Sequence, residues 1–231
     1  MQKASIMETD LHIRPLDASE LDRAADILAR AFLDDPFSAY VLPAEDDRED
    51  LLYWYYGTIV QYGLLHGTVH TTADTAGVAV WLPQDDTGAN AAHLEEAGLL
   101  DAPDVLGMPA FGRLVGIMGC LNRVRHRLMH GPYWYLPAIG VDPAAQGRGV
   151  GSTLLRPMLA RADAENRPCY LETFTEQNAH FYQRHGFVSL VDEIDGESGL
   201  HYWGLRRDPR RERATHDSDL SGRSQPILKR Q

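Results

Sequence analysis

The pattern of apolar and polar positions predicts amphipathic helices that alternate with short strands. Apolar residues recur at helical spacing over residues 21–32, directly after a capping box formed by Asp17 and Glu20. We predict that this first helix ends at Leu33, because Asp34-Asp35-Pro36 follows and the residue before a proline avoids helical backbone.

The rest of the chain, up to residue 205, divides into further helices and strands. The stretch 91–129 is helical in composition but is interrupted by glycines and prolines, which predicts two or three short helices with mobile joints. Residues 83–90 are predicted to form a polar loop. The remaining predicted elements are strands over 11–16, 68–72, 77–82, 134–141 and 170–174, helices over 48–67, after 151 and up to His185, and a closing hairpin over 187–191 and 199–205.

A glycine-rich turn lies between the strand at 134–141 and the helix that follows it. Its sequence is Gln146-Gly147-Arg148-Gly149-Val150-Gly151. Glycines at alternate positions let the backbone come close to a ligand, and the free N–H groups and positive dipole end of the helix favour phosphate. The pattern therefore indicates a site for a pyrophosphate.

Two common phosphate-binding motifs do not fit this turn. A Walker A loop requires a lysine after the last glycine, but Ser152 and Thr153 stand there. A dinucleotide fingerprint requires a third glycine where Ser152 stands and an acidic residue about 20 residues further on to hold a ribose. Glu172 is near that distance, but it lies inside the next strand. Neither an ATPase nor a Rossmann domain is predicted.

A second motif follows the glycine turn at a fixed distance. It consists of Leu171-Glu172-Thr173, Asn178 and the run Phe181-Tyr182-Gln183-Arg184-His185-Gly186-Phe187. In their order and separation the two motifs resemble those of the GNAT superfamily of acyl-CoA N-acyltransferases. Within that superfamily, Val78-Ala79-Val80-Trp81 and the run from Ala31 to Pro36 are similar to puromycin N-acetyltransferases, and the resemblance extends with gaps from about residue 13 to about residue 203.

The resemblance implies a fold, an acyl donor and an acceptor. The implied fold is α/β (α+β): a mixed, mostly antiparallel sheet of six or seven strands, splayed between its two parallel central strands and flanked by helices. Acetyl-CoA would be the co-substrate, a small amine the acceptor, and the protein a monomer or homodimer. The residues implied in binding CoA are Ile139, Gly140, Val141, Gln146, Gly147, Arg148, Gly149, Val150, Gly151, Ser152, Asn178 and Phe181.

Two residues are implied in the chemistry of acyl transfer. Tyr182 would protonate the departing thiolate, and Glu172 would take a proton from the ammonium of the acceptor through water. Both have structural alternatives, since Tyr182 could serve only to pack its helix and Glu172 only to hold the splayed strands together. Gly140 could likewise serve strand packing rather than backbone donation to the oxyanion.

The acceptor would meet three further residues. In the family, the break after the first helix leads into the wall of the acceptor site. Asp34 and Asp35 lie at this break, where their carboxylates could attract an ammonium group, although a solvated helix end is an equally good interpretation. Tyr55 belongs to an aromatic-rich helix and would face the same pocket.

Composition and charge set limits on organisation and partners. A chain of 231 residues with 44% hydrophobic content can bury one core, and we predict a lead-in over 1–10, a single domain over 11–205 and a basic disordered tail over 206–231. The net charge is −11, although the tail carries eight Lys or Arg and four Asp or Glu, so the domain is acidic. Such a domain repels nucleic acid and attracts cations. No apolar run is long enough to cross a membrane.

The cysteines and histidines indicate neither a disulfide framework nor a metal site. Cys120 and Cys169 are the only cysteines, which predicts a cytoplasmic protein, and Cys169 has no histidine beside it that would activate it as a nucleophile. His126 and His130 have the spacing of a metal pair, but arginines surround them and no third ligand is evident. We therefore predict no metal.

Three functions remain to be distinguished. The leading hypothesis is an acetyl-CoA-dependent N-acetyltransferase acting on a small amine, such as an aminonucleoside or another antibiotic, in resistance or detoxification. The second is a non-catalytic domain that senses acyl-CoA and contacts a partner through the basic tail. The third is a protein or peptide N-acetyltransferase, which would need an open groove.

Overall fold

A computed structural model describes residues 12–84 and 91–210. The predicted lead-in over 1–10, most of the polar loop at 83–90 and the predicted tail beyond residue 210 lie outside the described residues. Within the described ranges the chain forms eight α-helices and seven strands, with short 3-10 turns between them.

The elements follow one another in the predicted order. The strands are β1 (Ile13–Pro15), β2 (Thr68–Thr72), β3 (Gly77–Gln84), β4 (Tyr133–Val141), β5 (Cys169–Thr173), β6 (Val188–Ile194) and β7 (His201–Arg207). The helices are α1 (Leu21–Ala31), α2 (Pro36–Val41), α3 (Arg48–His66), α4 (Ala91–Glu96), α5 (Ala102–Leu106), α6 (Met108–Leu128), α7 (Val150–Ala164) and α8 (Glu176–Arg184).

The strands form one sheet in the order β1-β2-β3-β4-β5-β7-β6. Every neighbouring pair is antiparallel except β4 and β5, which run parallel at the centre. Helices cover both faces, so the core has two halves. One half contains buried residues of α1, α2, α3, α5 and α6, and the other contains those of α7 and α8. The sheet confirms the predicted fold.

The two parallel strands separate soon after they meet. Only Trp134 with Cys169 and Tyr135 with Tyr170 pair across them, although β4 continues for six more residues. On its other side β4 stays paired with β3, but it carries a bulge in which Leu136 and Pro137 stand opposite Trp81 alone. The bulge changes which side chains face each half of the core: Leu136 and Ile139 pack in the α7 half, and Ala138 packs in the α1 half.

Local signals account for the start of α1 and for the following break. Asp17 accepts from the N–H of Ser19, and the capping box with Glu20 is present as predicted. The break after α1 is a second helix start, because Pro36 occupies the first turn of α2 and Asp35 caps it.

Three predictions about boundaries need correction. The region predicted as short helices contains α6, a single helix of 21 residues, because Pro109 falls in its first turn, where a proline is harmless. Strand β3 continues to Gln84, past the predicted end at residue 82. The last strand also continues past its predicted end at residue 205, since β7 ends at Arg207 and this buried arginine donates two hydrogen bonds to Asp163.

No helix among the described residues is long and apolar enough to cross a membrane.

Candidate active site

A cavity of about 920 Å³ opens at the point where β4 and β5 separate. One side is bounded by the glycine turn and the first turn of α7, together with α8. The other side is bounded by α3, α6 and the connection between α1 and α2. A cavity that runs through the gap between two splayed strands can hold a long, thin ligand across the sheet and a second ligand at its far end.

The glycine turn has the backbone geometry that phosphate binding requires. Gly147 and Gly149 adopt φ of +76° and +81°, which is the left-handed region that favours glycine. Gly149 precedes α7, and no side chain caps the free N–H groups of the helix there. The N-terminus of α7 is therefore open to an anion in the cavity.

Contacts with β4 and α8 hold the turn in place. The Gln146 side chain donates a hydrogen bond to the carbonyl of Val141 at 3.1 Å. The Ser152 hydroxyl lies 3.0 Å from Nε2 of His185 at the end of α8. A Cβ at Gly151 would lie 3.3 Å from the Phe181 ring, so α7 and α8 approach closely at this point.

The exposed edge of β4 faces the gap. Beyond Tyr135 no described strand pairs with β4 on the β5 side, so the N–H groups of Ile139 and Val141 lack a strand partner there and can bind a ligand. Gly140 has a further explanation in packing, since a Cβ there would come within 2.8 Å of Leu28 Cδ2 and 3.0 Å of Ala31 Cβ. The glycine lets α1 lie directly against β4 beside the cavity.

Tyr182 is buried in the part of the cavity wall that α8 forms. Its ring contacts those of Phe181 and Phe187, with centroids 5.1 Å and 5.8 Å away. Burial raises the pKa of the Tyr182 hydroxyl, and the nearby charge of Asp35 raises it further. The phenol is therefore protonated at neutral pH and able to donate a hydrogen bond into the cavity.

Glu172 borders the cavity from β5, with its side chain only 3% exposed. Its Oε1 lies 3.7 Å from Nη1 of Arg125 on α6, and the hydroxyls of Tyr135 and Tyr170 lie near the same carboxylate. Burial raises the pKa of Glu172, and the charge of Arg125 opposes this increase. The Arg125 guanidinium also stacks 4.2 Å over the Tyr135 ring.

Asp35 is the second carboxylate in the cavity wall. Its Oδ1 accepts a hydrogen bond from the N–H of Phe37 at 2.9 Å, as expected for the residue that caps α2. Burial nevertheless raises the pKa of Asp35 to about 6, since this one bond offsets only part of the lost hydration. Asp34 is exposed and lies outside the lining of the cavity.

The cavity collects most of the residues predicted from the sequence. Tyr55, Asp35, Glu172, Asn178, Phe181 and Tyr182 line it with the residues predicted at the β4 end and the glycine turn, whereas Arg148 is exposed and outside the lining. Sequence reasoning missed Arg125, Tyr135 and Phe174. Arg125 could not be singled out from the neighbouring Arg123 and Arg127, because its contact with Glu172 joins residues far apart in the chain.

No metal centre is apparent in the part of the chain that the structure describes, which contains no group of three or more potential ligands of the His, Cys, Asp or Glu type. The two halves of the cavity differ in the chemical groups that line them. One offers glycine backbone and a helix N-terminus, and the other offers two carboxylates, an arginine and aromatic walls.

Comparison with known proteins agrees with this geometry. A family described as the acetyltransferase (GNAT) domain matches residues 107–189, the range from α6 to the start of β6 that includes the glycine turn, Glu172 and Tyr182. An uncharacterised N-acetyltransferase of Schizosaccharomyces pombe is 26% identical over 179 residues, covering 75% of this chain and 72% of that protein.

Solved structures share the fold. The structure of histone acetyltransferase HPA2 and related acetyltransferase from Corynebacterium glutamicum is 24% identical, with a TM-score of 0.61 over 87% of this chain and 98% of the other. Arylalkylamine N-acetyltransferase 2 from Aedes aegypti is 12% identical, with a TM-score of 0.61 over 87% of this chain and all of the other. These matches show that residues 107–189 correspond to a GNAT acetyltransferase domain and that the described chain shares the fold of solved acetyltransferases.

Proposed function

We infer that this protein transfers the acetyl group of acetyl-CoA to the amine of a small molecule. The observation that carries this conclusion is the cavity itself, which joins a glycine turn with an open helix N-terminus, a gap between parallel strands and two carboxylates. The turn suits the pyrophosphate of CoA, the gap suits its pantetheine arm, and the acidic half suits a cation.

The proposed reaction is direct attack on the thioester. The neutral amine nitrogen adds to the carbonyl carbon, the C–S bond breaks, and the CoA thiolate and an N-protonated amide are formed. The amide nitrogen then releases its extra proton, which replaces the proton that Tyr182 donates to the thiolate. Backbone N–H groups on the free edge of β4, near Ile139 and Val141, stabilise the developing oxyanion. An interaction of this type is worth about 3 kcal/mol in other enzymes.

Proton transfers complete the proposed reaction. The ammonium proton leaves through water to Glu172, whose raised pKa makes its carboxylate a better base than a solvated one. Tyr182 donates a proton to the thiolate. Burial raises the pKa of this phenol, so it remains protonated until the thiolate forms beside it.

The proposal includes a biological setting. An aminonucleoside or another amine antibiotic is a proposed acceptor, which would make acetylation a resistance or detoxification reaction. We propose that the protein acts in the cytoplasm as a monomer or homodimer, without nucleic acid or membrane partners. The acidic composition of the domain supports cationic small molecules over nucleic acid.

A thiol-release assay tests the proposal. Purified protein is incubated with acetyl-CoA and a panel of amines that includes puromycin, aromatic and aliphatic monoamines, diamines and peptides with free N-termini. Release of CoA that depends on a small amine supports the proposal. Tight binding of acetyl-CoA without turnover would favour a sensor, and turnover restricted to peptides would favour a protein N-acetyltransferase.

A further inference from the structure

The acceptor half of the cavity contains two carboxylates of different character. Glu172 faces the guanidinium of Arg125 at 3.7 Å, and both side chains are almost completely buried, with exposed fractions of 3% and 11%. Their opposite charges compensate each other within the wall. A cation that enters this half therefore gains little net attraction from the pair.

Asp35 has no such compensation. Among the described residues, the Asp35 carboxylate accepts one hydrogen bond, from the backbone N–H of Phe37, and no Lys, Arg or His forms an ion pair with it. A half-buried carboxylate without a counter-ion loses part of its hydration, and a cation supplied by a ligand would offset that loss. The charge of Asp35 also acts on Tyr182 and Tyr56, so the carboxylate lies close to the proposed acid.

The wall around Asp35 is aromatic. Phe37 stacks on Phe174 with a centroid distance of 5.3 Å, and Phe32 stacks on Tyr56 at 4.7 Å. The Tyr55 ring meets that of Tyr56 at 5.2 Å. Such a wall suits an aromatic ring or a cation placed over the face of a ring, and apart from Asp35 these aromatic residues supply no charge.

We propose that the preferred acceptor is a primary amine with a single positive charge and an aromatic body, whose ammonium group is held by the carboxylate of Asp35. This inference rests on the proposed acetyltransferase function and specifies its substrate class. The aromatic body packs against Phe37, Phe174 and Tyr55. A second ammonium or a carboxylate on the amine would be buried in this wall without a partner.

Rate measurements with matched amines test the substrate class. Phenethylamine is compared with putrescine, which replaces the ring by a second charge, and with phenylalanine, which adds a carboxylate. We expect kcat/KM for phenethylamine to exceed each of the others by about tenfold or more. Equal or faster acetylation of putrescine or phenylalanine would overturn the inference, although the acetyltransferase function would stand.

Variants at the two neighbouring aspartates test the anchor. Asp35→Asn keeps a capping side chain for α2 but removes the charge, and we expect KM for phenethylamine to rise about tenfold or more while KM for acetyl-CoA stays unchanged. The control Asp34→Asn alters an exposed carboxylate outside the cavity and should change both constants by less than about twofold. An unchanged amine KM in a folded Asp35→Asn protein would contradict the proposed anchor.

A binding measurement separates this inference from the proposed function. Calorimetry with the CoA complex measures the affinity for phenethylamine without turnover. We expect binding that weakens in Asp35→Asn and not in Asp34→Asn. If acetyl-CoA itself does not bind, the proposed function fails; if CoA binds but phenethylamine does not, the substrate inference fails.

Discussion

Asp35 is a residue where binding and folding stability make opposite demands. Its carboxylate caps α2, but burial raises its pKa from 3.8 to about 6, so ionisation is less favourable in the folded protein than in the unfolded chain. The protonated form of Asp35 favours the folded state. This contribution to the free energy of unfolding is fully present below about pH 4 and is lost as the pH rises through about 6. At neutral pH the ionised carboxylate therefore lowers the free energy of unfolding, which favours a role for it in binding rather than in folding.

We therefore predict that Asp35→Asn stabilises the protein at neutral pH. Each pKa unit corresponds to about 1.4 kcal/mol, so removal of the charge should add about 2 to 3 kcal/mol to the free energy of unfolding at about pH 8. Asparagine caps a helix nearly as well as aspartate, so the cap is retained. Thermal and denaturant unfolding at several pH values measure the effect, which should vanish near about pH 4.

The adjacent Asp34 provides the control for this prediction. Asp34→Asn removes one negative charge from an exposed position and should leave stability within about 0.5 kcal/mol of the wild type. A gain of the same size in both variants would mean that the effect comes from net charge. A loss of stability in Asp35→Asn at all pH values would show that the carboxylate serves the fold.

Tyr182 permits a clean test of the proposed proton donor. Tyr182→Phe removes only the hydroxyl and retains the ring contacts with Phe181 and Phe187. We predict that kcat falls by about 10² to 10⁴-fold, as is typical when a general acid is lost, with little change in KM for acetyl-CoA. Steady-state kinetics measures both constants. A kcat above about a third of the wild-type value would rule out this role.

The Arg125–Glu172 pair predicts an asymmetric response to mutation. Arg125→Met leaves the Glu172 carboxylate buried without a counter-charge and should lower the free energy of unfolding by about 3 to 5 kcal/mol. The double variant Arg125→Met/Glu172→Gln removes both charges and should recover part of this loss. Denaturant unfolding of the single and double variants forms a double-mutant cycle. Additive losses would mean that the two residues do not interact.

At the scale of elements, the glycine turn and α7 form one unit. Gly151→Asp introduces a negative charge where the proposed phosphate would lie, and its Cβ would come within 3.3 Å of Phe181. An acidic residue in the first turn of a helix does not by itself destabilise the helix. We predict that this variant folds but no longer binds CoA, as measured by calorimetry.

Gly112→Asp on α6 is the matched control for that variant. It makes the same substitution in the first half of a helix at an exposed position, where a Cβ meets nothing within 4 Å. CoA affinity should be unchanged. Equal weakening in the two variants would mean that the loss at Gly151 reflects general electrostatic repulsion rather than a site at the turn.

Elements with local signals could be predicted from the sequence. The capping box set the start of α1, alternation and turn residues set β2 and β3, and the two family motifs set β4 to α8. The region of α6 was predicted as short helices rather than one long helix, because its continuity depends on buried contacts of residues such as Leu114 and Ile117, which outweigh its internal glycines. Local propensity alone contains no information about such contacts.

At the scale of the whole molecule, the sequence predicted which residues line the cavity better than which contacts they make with one another. The glycine turn, Glu172 and Tyr182 were recognisable because their spacing is local and matches a family. The contact of Arg125 with Glu172 joins α6 to β5, and the contact of Gly140 with Leu28 joins β4 to α1. Contacts of this kind follow from the topology of the sheet and leave no periodic pattern.

The topology explains why these parts meet. Parallel pairing of β4 and β5 stops after two residue pairs, and the bulge at Leu136 and Pro137 turns the free edge of β4 toward the gap. The glycine turn then lies on one side of the sheet and Asp35 and Glu172 on the other. A donor bound at the turn and an acceptor bound at the carboxylates can therefore meet only through the gap.

The most direct test of this account is detection of the acetylated amine itself. Protein, acetyl-CoA and phenethylamine are incubated, and the N-acetyl product is quantified by mass spectrometry against a reaction without protein. The account predicts stoichiometric formation of the N-acetyl amide and free CoA, catalysed by the wild type and strongly reduced in Tyr182→Phe. Tight binding of acetyl-CoA with no acetylated product from any amine in the panel would contradict it.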